Sequence, residues 1–151
     1  VVEDYYRVRA RDLRGLYLKS ARYDGRDAMA ESVRVTEGGG EFEVVISANG
    51  ARVDGQVTRD AEGVAGARVV LIPDNRTRMD QVKSSATDQY GVFSLIGIAP
   101  GRYKLFAWER IENSAWLDPD VVADVENQGV RVEVKEGDAK RVTPKLIEAK
   151  N

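Results

Sequence analysis

The sequence predicts an all-β protein, an antiparallel two-sheet sandwich preceded by part of a second one. Three observations carry that reading. Short runs of alternating apolar and polar residues recur at roughly 8–12-residue spacing, as in sandwiches and barrels. Turn formers separate them: Gly38-Gly39-Gly40, Asp60-Ala61-Glu62-Gly63, Asp88-Gln89-Tyr90-Gly91 and Glu136-Gly137-Asp138. Hydrophobic residues make up 42% of the 151, enough for a core, at a mean hydropathy of −0.41. No run approaches the ~18 apolar residues that read as a membrane span.

Taken in order, residues 5–11 and 16–22 alternate, and 32–36 and 41–47 flank the triple-glycine turn. Residues 52–58 open a longer unit, and the chain turns at 60–63. The apolar run 67–72 reads as a buried strand ending at Pro73, which has no N–H to pair. Residues 74–81 are polar and read as a loop. Strands at 82–87 and 92–96 are expected to pair as a hairpin across Asp88–Gly91, where Asp suits the first turn position and Gly the last. Phe93 and Leu95 then face one way, and Val92, Ser94 and Ile96 the other. A second hairpin is expected across 97–101, where Pro100 fixes φ and Gly101 accepts a positive one.

In 102–108, Tyr103, Leu105 and Ala107 share one face and Phe106 and Trp108 the other. Residues 109–128 form a long excursion in which Asp118-Pro119-Asp120 suits a helix start. Strands at 130–135 and 140–147 close the unit around Glu136-Gly137-Asp138. The inward set expected for 51–148 is Val57, Val69, Leu71, Phe93, Leu95, Tyr103, Leu105 and Val132.

Comparing the chain with itself places a partial repeat ahead of this unit. At an offset of 97, Tyr6-Arg7-Val8-Arg9-Ala10 meets Tyr103-Lys104-Leu105-Phe106-Ala107. Asp27 meets Asp124, and Val33-Arg34-Val35 meets Val130-Arg131-Val132. After two inserted residues Glu37-Gly38 meets Glu136-Gly137, and Val45-Ile46 then falls opposite Leu146-Ile147. The expected organisation is residues 1–50 as the rear half of one sandwich and 51–151 as a complete second one. The apolar residues Tyr6, Val8, Leu16, Leu18, Val33, Val35 and Val45 of the half unit then need a covering surface. Strands of another chain, upstream residues or the second copy are the candidates. The chain starts at Val with no leader pattern behind it, so the expectation is a mature product or a piece of something longer.

Four stretches of the longer unit carry a family pattern in order. They are Val53-Asp54-Gly55-Gln56-Val57, Gly63-Val64-Ala65-Gly66-Ala67-Arg68-Val69, Thr87-Asp88-Gln89-Tyr90-Gly91-Val92-Phe93 and Pro100-Gly101-Arg102-Tyr103. Over about 51–148 the chain resembles the carboxypeptidase regulatory-like domain, a transthyretin-like, Ig-like β-sandwich. Val64 departs from the pattern, where the family often has Pro. The resemblance implies a non-catalytic accessory module, often repeated, in secreted or cell-envelope proteins of bacteria. It also implies other protein domains as partners, and no cofactor. The peptidase chemistry behind the family's name belongs to a separate domain with His ligands.

Absences narrow the chemistry further. The chain has no His and no Cys, which removes the commonest general base, the commonest metal ligand, thiolate sites and disulfides together. Enzymes on transthyretin-like scaffolds depend on His for purine-breakdown hydrolysis or for iron-dependent ring cleavage, so the expectation is no enzyme, no catalytic residue and no resident metal. Charge is balanced at 23 basic against 25 acidic residues, with 8 against 9 in the first fifty. Nucleic acid is therefore not an expected partner.

Each remaining candidate site has a structural rival. Trp108 and Trp116 suit an exposed platform for a sugar or peptide; equally, the excursion 109–128 folds back and covers them, the simpler use of large aromatics. Asp118, Asp120 and Asp124 offer oxygens, but Ca²⁺ takes roughly six to eight ligands and their spacing fits no known loop. Tyr103 after Pro-Gly reads as a tyrosine corner, its hydroxyl bonded to nearby backbone. Arg7, Arg9 and Arg11 alternate with Tyr6, Val8 and Ala10 as a solvated strand face would. Strand 52–58 has no Lys, the donor an intramolecular Lys–Asn cross-link would need there.

Three function classes stay in view. The first is a passive extracellular module in a multidomain envelope protein. The second is a self-assembling subunit whose incomplete sandwich is completed by a neighbouring chain. The third and weakest is an enzyme, with a carbohydrate- or peptide-binding module kept as a weaker alternative to the first two.

Overall fold

A computed structural model describes residues 4–6, 15–29, 33–35 and 39–149. Ahead of residue 51 lie β1 (Asp4–Tyr6), β2 (Tyr17–Tyr23), β3 (Arg26–Asp27), β4 (Val33–Val35) and β5 (Phe42–Ser47). β1 pairs with β4, while β2 lies between β3 and β5. Leu18, Ala21, Tyr23, Ala28, Met29 and Val33 form a small core of their own. Residues 7–14 and 36–38, with the Arg7–Arg11 alternation and the Glu37-Gly38 match, lie outside the described residues.

The longer unit holds β6 (Ala51–Gln56), β7 (Thr58–Arg59), β8 (Glu62–Gly63), β9 (Arg68–Pro73), β10 (Lys83–Ala86), β11 (Val92–Ile98) and β12 (Gly101–Trp108). A short helix α1 (Pro119–Ala123) follows, then β13 (Val130–Val134), β14 (Ala139–Val142) and β15 (Leu146–Ile147). One sheet runs β10-β9-β12-β13, with β15 also on β12. The other runs β11-β6-β14. Between them sit Ala51, Val53, Val57, Val69, Leu71, Phe93, Leu95, Ile98, Tyr103, Leu105, Val132 and Val134, all buried. This contains the whole inward set expected from alternation. Each large aliphatic side chain buried there contributes roughly 1.5–3 kcal/mol.

Pairing differs from expectation in two respects. The stretches 82–87 with 92–96, and 92–96 with 102–108, do not form hairpins. β10 pairs with β9, β11 with β6, and β12 with β9 and β13, so both connections cross from one sheet to the other. At the first crossing, the Asp88 carboxylate accepts the N–H groups of Tyr90 and Val92, closing a tight arch. Thr87 anchors that arch: its Oγ1 donates to the Val64 carbonyl and accepts from the Ala67 N–H. At the second, the register slips between Leu95 and Ile98, where Gly97 has φ +66°, and β11 resumes its pairing with β6 at Ile98–Ala51 before the chain crosses over. The sandwich is also mixed rather than purely antiparallel. β14 runs parallel to β6, and β15 parallel to β12.

Candidate functional site

The excursion 109–128 lies over the outer face of the larger sheet. Trp108 and Trp116 are 5% and 7% exposed. They pack with Val70, Ile72, Phe106, Val122, Val125 and Ile147 in a second core. Phe106 stacks on Trp108 at 5.4 Å between centroids, and the Arg68 guanidinium lies 5.6 Å from the Trp116 ring. A binding platform needs a free ring face, and neither ring has one. Alternation explains this: β12 turns Phe106 and Trp108 away from the inter-sheet core, so the sheet needs a second cover.

The aspartates of the excursion do local structural work. Asp118 is the N-cap of α1, its carboxylate accepting the Asp120 N–H at 2.9 Å, with Pro119 in the first turn. Asp124 is the C-cap. Among the described residues no group of three or more acidic side chains is arranged to hold a metal ion.

At one end of the sandwich, a charged cleft of about 660 Å³ is lined by Arg59, Glu109, Arg110, Ile111, Glu112 and Glu148. Arg59 lies 2.9 Å from Glu109 and 3.4 Å from Glu148. Glu109 also accepts the Ala149 N–H, and that bond, with the Arg59 contact, holds its carboxyl below the usual range. The cleft's charges tie the last strand down. Tyr103 is likewise structural. Its buried hydroxyl donates to the Ala99 carbonyl at 2.6 Å, and burial pushes its titration upward.

The feature least like a finished surface is β5. It is an edge strand, paired only with β2 among the described residues. Register places Phe42 opposite Tyr23, Val44 opposite Ala21 and Ile46 opposite Leu18, on the face that carries the small N-terminal core. Yet Phe42, Val44 and Ile46 are 47%, 49% and 48% exposed, and Val45 on the other face is 39% exposed. β5 carries no Lys or Pro; its one charge, Glu43, lies on the face opposite Phe42, Val44 and Ile46, and its pairing with β2 holds one irregularity, between Leu18 and Ser20. Sequence reasoning marked 41–47 as a strand and listed Val45 but not Phe42, Val44 and Ile46. The signal was present, since four of six positions in β5 are large and apolar.

No protein-family model matches the chain, so the resemblance of 51–148 rests on its four motifs. No curated protein sequence matches either. Among solved structures, a DUF3823 family protein from Parabacteroides merdae ATCC 43184 is 21% identical, with a TM-score of 0.43 over 66% of this chain and 46% of that one. BcpA, the major pilin subunit of Bacillus cereus, is 14% identical with a TM-score of 0.45 over 87% of this chain and 56% of that one. A point variant of BcpA gives 11% and 0.41 at the same coverage. This chain thus spans about half the length of the structures it matches. At these identities and scores the likenesses carry no argument about function.

Proposed function

We propose that this chain is a non-catalytic structural module of a bacterial secreted or cell-envelope protein, with residues 51–151 forming a carboxypeptidase regulatory-like sandwich. The observation that carries this reading is that the family-pattern residues are used up by the fold. Gly55 leaves room for the Phe93 ring and the Val142 carbonyl. Thr87 and Asp88 build the inter-sheet arch, and Tyr103 ties the corner at Ala99. None of them presents a free functional group to a cleft.

The β5 edge favours a second reading within the same class, a subunit that self-associates by strand addition. An open apolar edge templates pairing with another chain, and about half of each of three large side chains on one face stays in water. Antiparallel pairing of two β5 strands about Val44 would set Phe42 opposite Ile46 of the other copy and continue the apolar row. Light scattering of the chain over a concentration series separates the readings. Concentration-dependent mass growth that Val44→Lys abolishes supports assembly. A monomer at every concentration removes assembly and leaves the passive module. Turnover of an ester, peptide or glycoside substrate by the purified chain would overturn both.

A further inference from the structure

Among the described residues the two parts of the chain have separate buried clusters. The N-terminal cluster draws on residues 18–35 and the inter-sheet core on residues from Ala51 onward. A group of polar side chains links them. Tyr17 and Ser47 are cross-strand partners in β2 and β5, so their hydroxyls leave the sheet on the same face. Both donate to one oxygen, Glu136 Oε1, at 2.8 Å each. Lys19, at the β2 irregularity, places its Nζ 3.4 Å from both carboxylate oxygens.

Glu136 is itself firmly placed. It sits in the β13–β14 turn, where the Asp138 carboxylate accepts the Lys135 N–H and the Gly137 N–H donates to the Asn49 carbonyl. Elsewhere along the seam the backbones touch directly. A Cβ on Gly50 would lie 2.7 Å from Gly97 Cα, and one on Gly97 would lie 3.0 Å from the Gly15 and Leu16 backbone. Only glycines allow that approach.

We infer that Glu136, with Tyr17, Ser47 and Lys19, is a latch that fixes the angle between the β2–β5 sheet and the 51–149 sandwich. Units that meet without a large hydrophobic interface move relative to one another by default. Here, charge-assisted hydrogen bonds to a single carboxylate supply a directional restraint. This goes beyond the structural-module reading, because it assigns stiffness to a named residue whatever the module is for.

The absence of cysteine makes the test direct. Arg22→Cys in β2 and Arg131→Cys in β13 are exposed sites on opposite sides of the seam. Spin labels on both report the distribution of distances between the units. The expected result is one narrow distribution for the otherwise unchanged chain, lost on adding Glu136→Ala. The pair Tyr17→Phe with Ser47→Ala, which leaves the turn sequence intact, should lose it too. Fluorescence of the buried Trp108 and Trp116 verifies in each variant that the sandwich stays folded. A broad distribution in the starting chain, or a narrow one surviving both sets of substitutions in a folded sandwich, overturns the latch.

Discussion

Two buried tyrosines show how much a single hydroxyl's partner matters. Tyr103 Oη bonds to the Ala99 carbonyl, whereas Tyr23 Oη is buried with no hydrogen-bond partner among the described residues. Removing one member of a buried hydrogen bond strands the other and costs roughly 1–3 kcal/mol, while removing a hydroxyl that has no partner relieves a desolvation penalty. Tyr103→Phe is therefore expected to destabilise by about that amount. Tyr23→Phe should leave stability unchanged or raise it, with urea unfolding of both variants as the check. The roles of Tyr103 and Trp108 were legible because strand alternation fixes which side each occupies. The Tyr17–Ser47–Glu136 convergence was not legible. Its members are far apart in sequence, and each alone is an ordinary polar residue on a strand or turn.

Alternation specifies which face of a strand is buried but says nothing about which sheet the strand joins. The inward residues of β9, β11 and β12 were therefore readable, whereas the two expected hairpins were not. In a sandwich both sheets present the same apolar face to the same core, and only the connection decides which one a strand enters. Here Gly97 and the Asp88–Gly91 arch make that decision. Gly91 has φ +78°, and an added Cβ would run into the Val57 carbonyl and the Val64 amide. The left-handed conformation alone costs an L-residue about 1–2 kcal/mol. Gly91→Ala should exceed that figure because of the added clash. The measurement is a thermal melt followed through the tryptophans, and a variant as stable as the parent would show that the arch tolerates a side chain.

At the scale of the whole molecule, the strand pairs that the self-comparison aligns can be set side by side. β1 pairs with β4 as β12 pairs with β13, antiparallel in both, but Tyr6 meets Val33 where Tyr103 meets Val132 rather than Val130. The register thus differs by two. The correspondence stops at β2, because the matching stretch of the longer unit holds α1 and its flanking turns. On the proposed division at residue 50, the two units communicate through Glu136. The hydroxyls of Ser47 and Tyr17, with the Lys19 charge, hold its carboxyl below the ordinary 4.5; Lys135 and Asp138 flank it in the turn. Burial, then Glu136, raises the Tyr17 hydroxyl in turn. A depressed carboxyl adds stability that is complete above its unfolded value and is lost as pH falls through the folded one. The stability gap between the parent chain and Glu136→Gln should therefore be constant from neutral pH to about 4.5 and close at lower pH. Urea unfolding across that range tests it; a gap that persists in acid would mean the carboxylate charge plays no part.

The parallel pairing of β14 with β6 also sets a clock. Arg52 finds its partner Ala139 only after nearly the whole sandwich has been made. At synthesis rates of roughly 5–20 residues per second, β6 waits on the order of ten seconds with one edge open. Pairings this distant along the chain are also slow to form once both strands exist. During that interval β6 waits first for β11 and then for β14, while the free edge of β5 stays available to a neighbouring strand. β14 closes the open edge of β6, whereas no described strand pairs with the free edge of β5.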